Sequence, residues 1–205
     1  MAKSNGAGRG KRSAAPAEPL AERIVDETLA LAEAVGWEGV RLRLVAERLG
    51  VSLPDVLAHY RDIDAVADAW FRRAWAAMVA PPRAGFADLP ARERLYLVLT
   101  RWFDALAAHR AVSVEMIRAK LYPSHPHHWV PLIFNLSRTI HWVRDAAGLD
   151  AVGRRRQAEE VGLTLLFLAT LAVWARDDSD GQERTRAILK RRLATADALM
   201  ARLYR

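Results

Sequence analysis

The chain of 205 residues contains no cysteine, which removes a disulfide framework, a thiolate metal site and a cysteine nucleophile from consideration. No stretch alternates apolar and polar residues with period two, so no β-sheet is expected. The basic N-terminus is followed by no apolar segment, which argues against a secretory signal and for a reducing cytoplasm. Catalytic signatures are missing too. There is no glycine-rich phosphate loop, no nucleophile elbow and no His-Glu-x-x-His, and Glu159 and Glu160, adjacent on one expected helix, do not face each other as a paired acid and base. No repeat of fixed period occurs. The longest apolar run, Val161 to Ala175, spans about 22 Å as a helix, short of a ~30 Å hydrocarbon core. Neither an enzyme, a cofactor, nor a transmembrane segment is expected.

What is present is helix-forming material. Hydrophobic residues make up 52% of the chain, mostly alanine and leucine, and their spacing is helical throughout. The length suits one compact unit or a small head on a larger body. The formal charge is +7, from 31 basic and 24 acidic residues. Residues 1–80 hold 11 of each sign, so the excess lies wholly in residues 81–205. Residues 1–17 form a polar, Pro/Gly-containing arm with Lys3, Arg9, Lys11 and Arg12 and no acid. Such an arm can follow a DNA minor groove or act as a solubilising tail.

Residues 45–60, VAERLGVSLPDVLAHY, read as helix, tight turn and helix. Gly50 supplies the left-handed residue that ends the first helix. Ser52 and Asp55 have capping-box spacing, and Pro54 falls in the first turn of the second helix, where it is tolerated. Val45, Leu49, Val56 and Tyr60 are expected to share a core, with Ala46 where the helices cross. This is helix-turn-helix spacing, whose second helix suits a DNA major groove; an ordinary helical hairpin has the same spacing.

The neighbouring residues carry a resemblance. A first helix with Ile24, Thr28, Leu31 and Val35, then Ala34-Val35-Gly36-Trp37, the run Ala46-Glu47-Arg48-Leu49-Gly50-Val51-Ser52 and His59-Tyr60 together resemble the DNA-binding head of the tetracycline-repressor (TetR) family of bacterial regulators. The resemblance covers residues 20–66. It implies an all-α fold of about nine helices: a head of helices 1–3 with helix 4 linking, residues 18–80, on a ligand-binding and dimerisation domain, residues 81–205. It implies DNA contact from Arg41, Arg43, Ser52, Leu53, Pro54, Asp55, Leu57, Ala58, His59, Tyr60 and Arg61. The chain departs from the family pattern at four of the positions nearest DNA. Arg41 replaces a capping serine or threonine, Asp55 a small residue, Leu57 a tyrosine and Ile63 a lysine. The Asp55 charge is expected to face phosphates or base edges.

Beyond the head, helices are expected from about Asp62 to Val79, from Pro90 as first residue, from Val112 to Leu121, Val130 to Ala146, Arg154 to Ala175 and Gln182 to Leu203. Pro81-Pro82-Arg83-Ala84-Gly85 separates head from body. The apolar run in the eighth helix must be covered on both faces, and the ninth carries Ile188, Leu189, Leu193, Ala196, Leu199 and Leu203 opposite Arg184, Lys190, Arg191 and Arg202. Together they predict a twofold homodimer through helices eight and nine. Trp102, Phe103, Met116, Tyr122, Trp129, Phe134, Trp142 and Phe167 are candidates to line a pocket for a small hydrophobic effector, with core packing as the alternative.

His125-Pro126-His127-His128 lacks a completing cysteine or carboxylate, so no metal site is assigned. His109 and His141 read as lone core histidines. In Asp177-Asp178-Ser179-Asp180-Gly181 the distal acid of a calcium loop is missing, and Ser179 capping the ninth helix with Gln182 is the simpler reading. Two functions follow. One is a dimeric, ligand-responsive transcriptional regulator, a repressor on a palindromic double-stranded operator. The other is a TetR-fold lipid or isoprenoid binder without DNA binding, since residues 174–193 are similar to the C-terminal stretch of the ubiquinone-biosynthesis accessory protein.

Overall fold

The computed structural model describes residues 18–121 and 126–204, with backbone alone over 126–134. Among these residues there is no strand. The helices are α1 (Leu20–Val35), α2 (Leu42–Leu49), α3 (Leu53–His59), α4 (Ile63–Met78), α5 (Ala91–Leu106), α6 (Arg110–Lys120), α7 (Pro126–Ala146), α8 (Gly153–Trp174) and α9 (Glu183–Leu203).

Apolar spacing decides how they pack. In α1, Ile24, Val25, Thr28, Leu29, Leu31 and Ala32 form one buried stripe at three- and four-residue steps. α4 is capped by Asp62, whose carboxylate accepts from the Ala65 N–H at 2.7 Å. It buries Val66, Ala67, Trp70, Ala74 and Met78 and lies along α5. Arg73 ties α4 back to α1 through Glu22 and Asp26. On the other side α5 meets α9, and α9 meets α8. Trp102 and Phe103 of α5 pack against Phe167 and Trp174 of α8 with ring centroids 5.1–6.3 Å apart, edge-on or tilted except for the more nearly parallel Phe103–Phe167 pair. One buried apolar core runs from Ile24 to Leu193. It does not stop at residues 81–85, the segment the sequence marks as a boundary.

Several helix ends differ from the sequence reading. Pro90 precedes α5 rather than opening it. Its ψ of 147° is extended, while its carbonyl accepts from Glu93 and Arg94 N–H. α6 begins at Arg110, directly after a short 3-10 turn at Ala107–His109. α7 begins at Pro126 rather than near Val130, because proline costs nothing in a first turn. The expected Ser179–Gln182 capping box is absent: Gln182 is left-handed, φ 60°, and its side-chain oxygen accepts from the Trp174 indole N–H at 2.6 Å.

Ser179 still caps the start of α9, its Oγ accepting from the Arg184 N–H at 3.1 Å, and it shares that task with Asp177, which is buried. Its carboxylate accepts from the backbone N–H and hydroxyl of Ser179 and from the backbone N–H and hydroxyl of Thr185. Burial would raise its pKa, but these donors outweigh burial and hold the carboxyl far below the usual carboxylate range. A depressed folded-state pKa stabilises above the unfolded value of about 3.9, and that stabilisation fades as pH falls toward the folded value. Asp177→Asn should therefore cost on the order of 2 kcal/mol at pH 7. In urea unfolding the gap from wild type should shrink steadily below pH 4, and a gap independent of pH contradicts the assignment.

Candidate functional site

The helix-turn-helix is built as its residues dictate. α2 ends at Leu49, and Gly50 takes φ 67°, ψ 33°, the left-handed conformation that a Cβ resists. Nothing lies near its Cβ position, so the demand is conformational and not spatial. Val51 N–H then donates to the Ala46 carbonyl at 3.0 Å. Ala46 is buried between the helices beside Val45 and Val56.

The α3 capping box is complete. Ser52 Oγ accepts from Asp55 N–H at 3.3 Å, and Asp55 Oδ2 accepts from Ser52 N–H at 2.9 Å. The Ser52 hydroxyl also donates to Asp55 Oδ2 at 2.6 Å. These bonds from the Ser52 side chain and backbone lower the Asp55 pKa. The carboxylate that the sequence placed against phosphates or bases is thus turned back onto its own helix start.

Of the residues named for DNA contact, Ser52, Leu53, Pro54, Asp55, Leu57, Ala58 and His59 are exposed. Tyr60 is not. Its ring is buried and its hydroxyl donates to the Ala21 carbonyl at 3.2 Å, so it anchors the end of α3 to α1. The arginines around α3 have acceptors within the chain. Arg41 donates to the Glu38 and Val40 carbonyls at 2.8 and 2.7 Å. Arg43 lies 3.7 Å from Glu47, and Arg61 lies 3.1 Å from Asp62. Exposed pairs of this kind are worth little and exchange readily for a phosphate partner.

A cavity of about 320 Å³ opens among α4, α5, α6, α7 and α8. Its walls are mainly aromatic and aliphatic: Phe71, Trp75, Trp102, Phe167 and Leu171. Phe71 lies nearly parallel to Trp102, 12° between planes. The polar part is small. Lys120 pairs with Asp68 at 2.7 Å, and Thr139 accepts from the Trp75 indole N–H at 3.1 Å while donating to the Asn135 carbonyl.

Of the residues named for the pocket, Trp102 and Phe167 line this cavity. Phe103 and Met116 do not; both are about 1% exposed and fill the core behind it. Trp142 is 53% exposed on the outside of α7. Tyr122, His125 and the arm 1–17 lie outside the described residues, as do the side chains of His127, His128, Trp129 and Phe134. Asp68, Phe71, Trp75 and Lys120 escaped the sequence reading. Phe71 and Trp75 sit four apart on α4, a signal that was available once that helix was given more than a linking role.

α6 joins the cavity to α1, α4 and the turn that leads into the helix-turn-helix. It walls the cavity with Ile117 and Lys120. It also accepts the Trp37 N–H at Glu115 Oε2, 2.6 Å, and the Trp70 indole N–H at Ser113 Oγ, 2.8 Å. His109, just before it, lies 2.7 Å from Glu33 of α1 and edge-on to Trp70. His109 is therefore a polar clasp between α1 and the start of α6, and His141 is half exposed near Glu160; neither is a core histidine.

The outer surface is apolar along α8. Val161, Leu165 and Leu168 are 60%, 63% and 43% exposed, while Leu163, Leu166, Phe167, Thr170 and Trp174 are buried. Leu199 and Leu203 of α9 are also exposed. α8 is long and apolar enough to cross a bilayer by length and composition alone. It nevertheless has a buried face in the core, and its first half is polar, with Arg156 paired to Glu160 at 2.7 Å. The same half is fixed to α7 by the buried Arg144, which donates to the Ala151 carbonyl and to Glu159.

No protein-family model matches the chain, and no curated protein matches it. Solved structures do. A TetR transcriptional regulator from Nitrosomonas europaea is 40% identical with a TM-score of 0.78, covering 88% of this chain and 99% of its own. A TetR transcriptional regulator from Rhodococcus sp. RHA1 shares the fold at 17% identity and TM-score 0.61, over 85% of this chain and 93% of its own. A tetR-family regulatory protein from Rhodococcus RHA1 does so at 19% and 0.52, over 89% and 97%. With a helix-turn-helix at one end, an all-helical body and a 40% identical relative matched along nearly its whole length, the chain belongs to the TetR family of transcriptional regulators.

Proposed function

We propose that this protein is a dimeric transcriptional repressor that binds a palindromic DNA operator and releases it when a small apolar effector enters the cavity. The observation that carries this reading is the exposed α3 on a complete helix-turn-helix, in a chain 40% identical to a TetR transcriptional regulator. Residues 18–80 are the DNA-binding unit in this reading, and residues 81–205 bind ligand and dimerise. Arg41, Arg43 and Arg61 move from their internal acceptors to phosphates, and the exposed side chains of α3 meet the bases.

The exposed stripe Val161, Leu165 and Leu168, with Leu199 and Leu203 nearby, supports a twofold interface. An isologous pairing of α8 and α9 with their mates covers that stripe from both sides. Asp68 and Lys120 are the charged residues at the cavity among the described ones, and they neutralise each other at 2.7 Å. An uncharged ligand therefore leaves no buried charge unpaired. A volume of 320 Å³ lies at the low end of ligand pockets, which favours a compact effector over a long isoprenoid chain.

A ligand against Ile117 and Trp75 presses on α6 and α4 together. The two recognition helices must sit about 34 Å apart to match one turn of DNA, so a small rotation of each head lowers affinity by shifting the population away from the matched spacing.

Two outcomes test this. Light scattering should give a dimer at micromolar concentration, and Val161→Arg with Leu165→Arg should give a monomer of unchanged helical content. A monomeric wild type overturns the interface. Selection from a random duplex pool at physiological salt should enrich a palindrome. Arg43→Ala should weaken enriched and random duplexes alike and reduce the salt slope by about 1. No enrichment overturns the regulator reading.

A further inference from the structure

Few side chains on α3 can hydrogen-bond a base edge. Between Leu53 and His59 there is no arginine, lysine, asparagine or glutamine, the residues that make paired hydrogen bonds to guanine or adenine. Asp55 and Ser52 are engaged with each other through three hydrogen bonds. What α3 presents is apolar. Leu53 is 50% exposed and Leu57 65%, four residues apart and so on one stripe. Pro54 and Ala58, also exposed, form the parallel stripe beside it. His59 remains as the hydrogen-bonding side chain outside the capping box.

A helix about 10–12 Å across fits a major groove about 12 Å wide, and the apolar group that bases display there is the C5-methyl of thymine. Arg61, two residues beyond α3, and Arg43 on the preceding α2 have side chains 80% and 62% exposed, cations open to a polyanion. We infer that this chain selects its operator mainly through thymine methyl groups packed against Leu53, Pro54, Leu57 and Ala58, with His59 supplying one hydrogen bond. The inference rests on the DNA-binding reading above and adds the chemistry of its specificity. It makes the half-site rich in A·T pairs at the positions under α3. A guanine-dependent contact is left to His59 alone.

The test uses the full-length protein and the duplex enriched from the random pool. Each thymine is replaced in turn by uracil, which keeps the base pair and removes only the methyl. Removing a buried methyl should weaken binding by roughly fourfold at each contacted position. Leu57→Ala should bind the thymine and uracil duplexes equally at the position Leu57 covers, and Leu53→Ala should do so at a neighbouring one; both sites are exposed, so the variants keep the fold. A palindrome whose affinity is unchanged by uracil everywhere, but falls on replacing guanine with 7-deazaguanine, overturns methyl recognition and leaves the regulator intact. A pool with no enriched duplex overturns both.

Discussion

The indole N–H of Trp70 is buried and needs an acceptor, and Ser113 Oγ on α6 supplies one at 2.8 Å. Losing such a bond leaves a buried donor unpaired at about 1–3 kcal/mol. The Trp37 N–H donates likewise to Glu115, and in the opposite sense the Lys120 ammonium of α6 donates to Asp68. These partners lie on α4 or in the turn after α1, while the groups that satisfy them all lie on α6. Since α6 is also a cavity wall, it cannot shift without either breaking these bonds or moving α4 and the turn that leads into α2. In the proposed regulator that constraint turns a local displacement by ligand into a movement of α3.

Beside scattered exposed residues such as Val35, Trp142 and Val152, three apolar surfaces stand out. The cavity takes Trp75 and Leu171, the α8 stripe takes Val161 and Leu165 with Leu168 shared between stripe and cavity, and the α3 patch takes Leu53 and Leu57. Each suits a different occupant in the proposed regulator: an effector, a second copy and a DNA groove. Charge is handled locally, with the arginines around α3 resting on internal acceptors, so attraction to DNA depends on exchanging weak exposed pairs for phosphates.

Much of the fold was legible in the sequence because it depends on neighbours a few residues apart. Gly50, the Ser52–Asp55 box and the spacing of Ile24, Thr28 and Leu31 are local signals, and the helices follow from them, although Val35 at the end of that spacing is exposed. What escaped depends on distant partners. Glu115 is 78 residues from Trp37, and Ser113 is 43 from Trp70; no spacing rule joins them. The cavity was only partly legible for the same reason. Five helices supply its walls, and an aromatic residue alone does not reveal whether it faces the space, as Trp102 does, or the core behind it, as Phe103 does. Asp55 carries two local demands at once: its place in the motif points toward DNA, while the donors of Ser52 engage Oδ2.

The central physical claim is that the helix-turn-helix and the cavity-bearing body share one core, joined through α6. Native-state amide hydrogen exchange in increasing denaturant tests it most directly. With a shared core, the slowest amides of α1, α5 and α8 should converge on one opening free energy and one denaturant dependence. If the amides of α1, α2 and α3 instead open together in a separate, less costly step while α5 and α8 stay protected, the head is independent and coupling through α6 is contradicted.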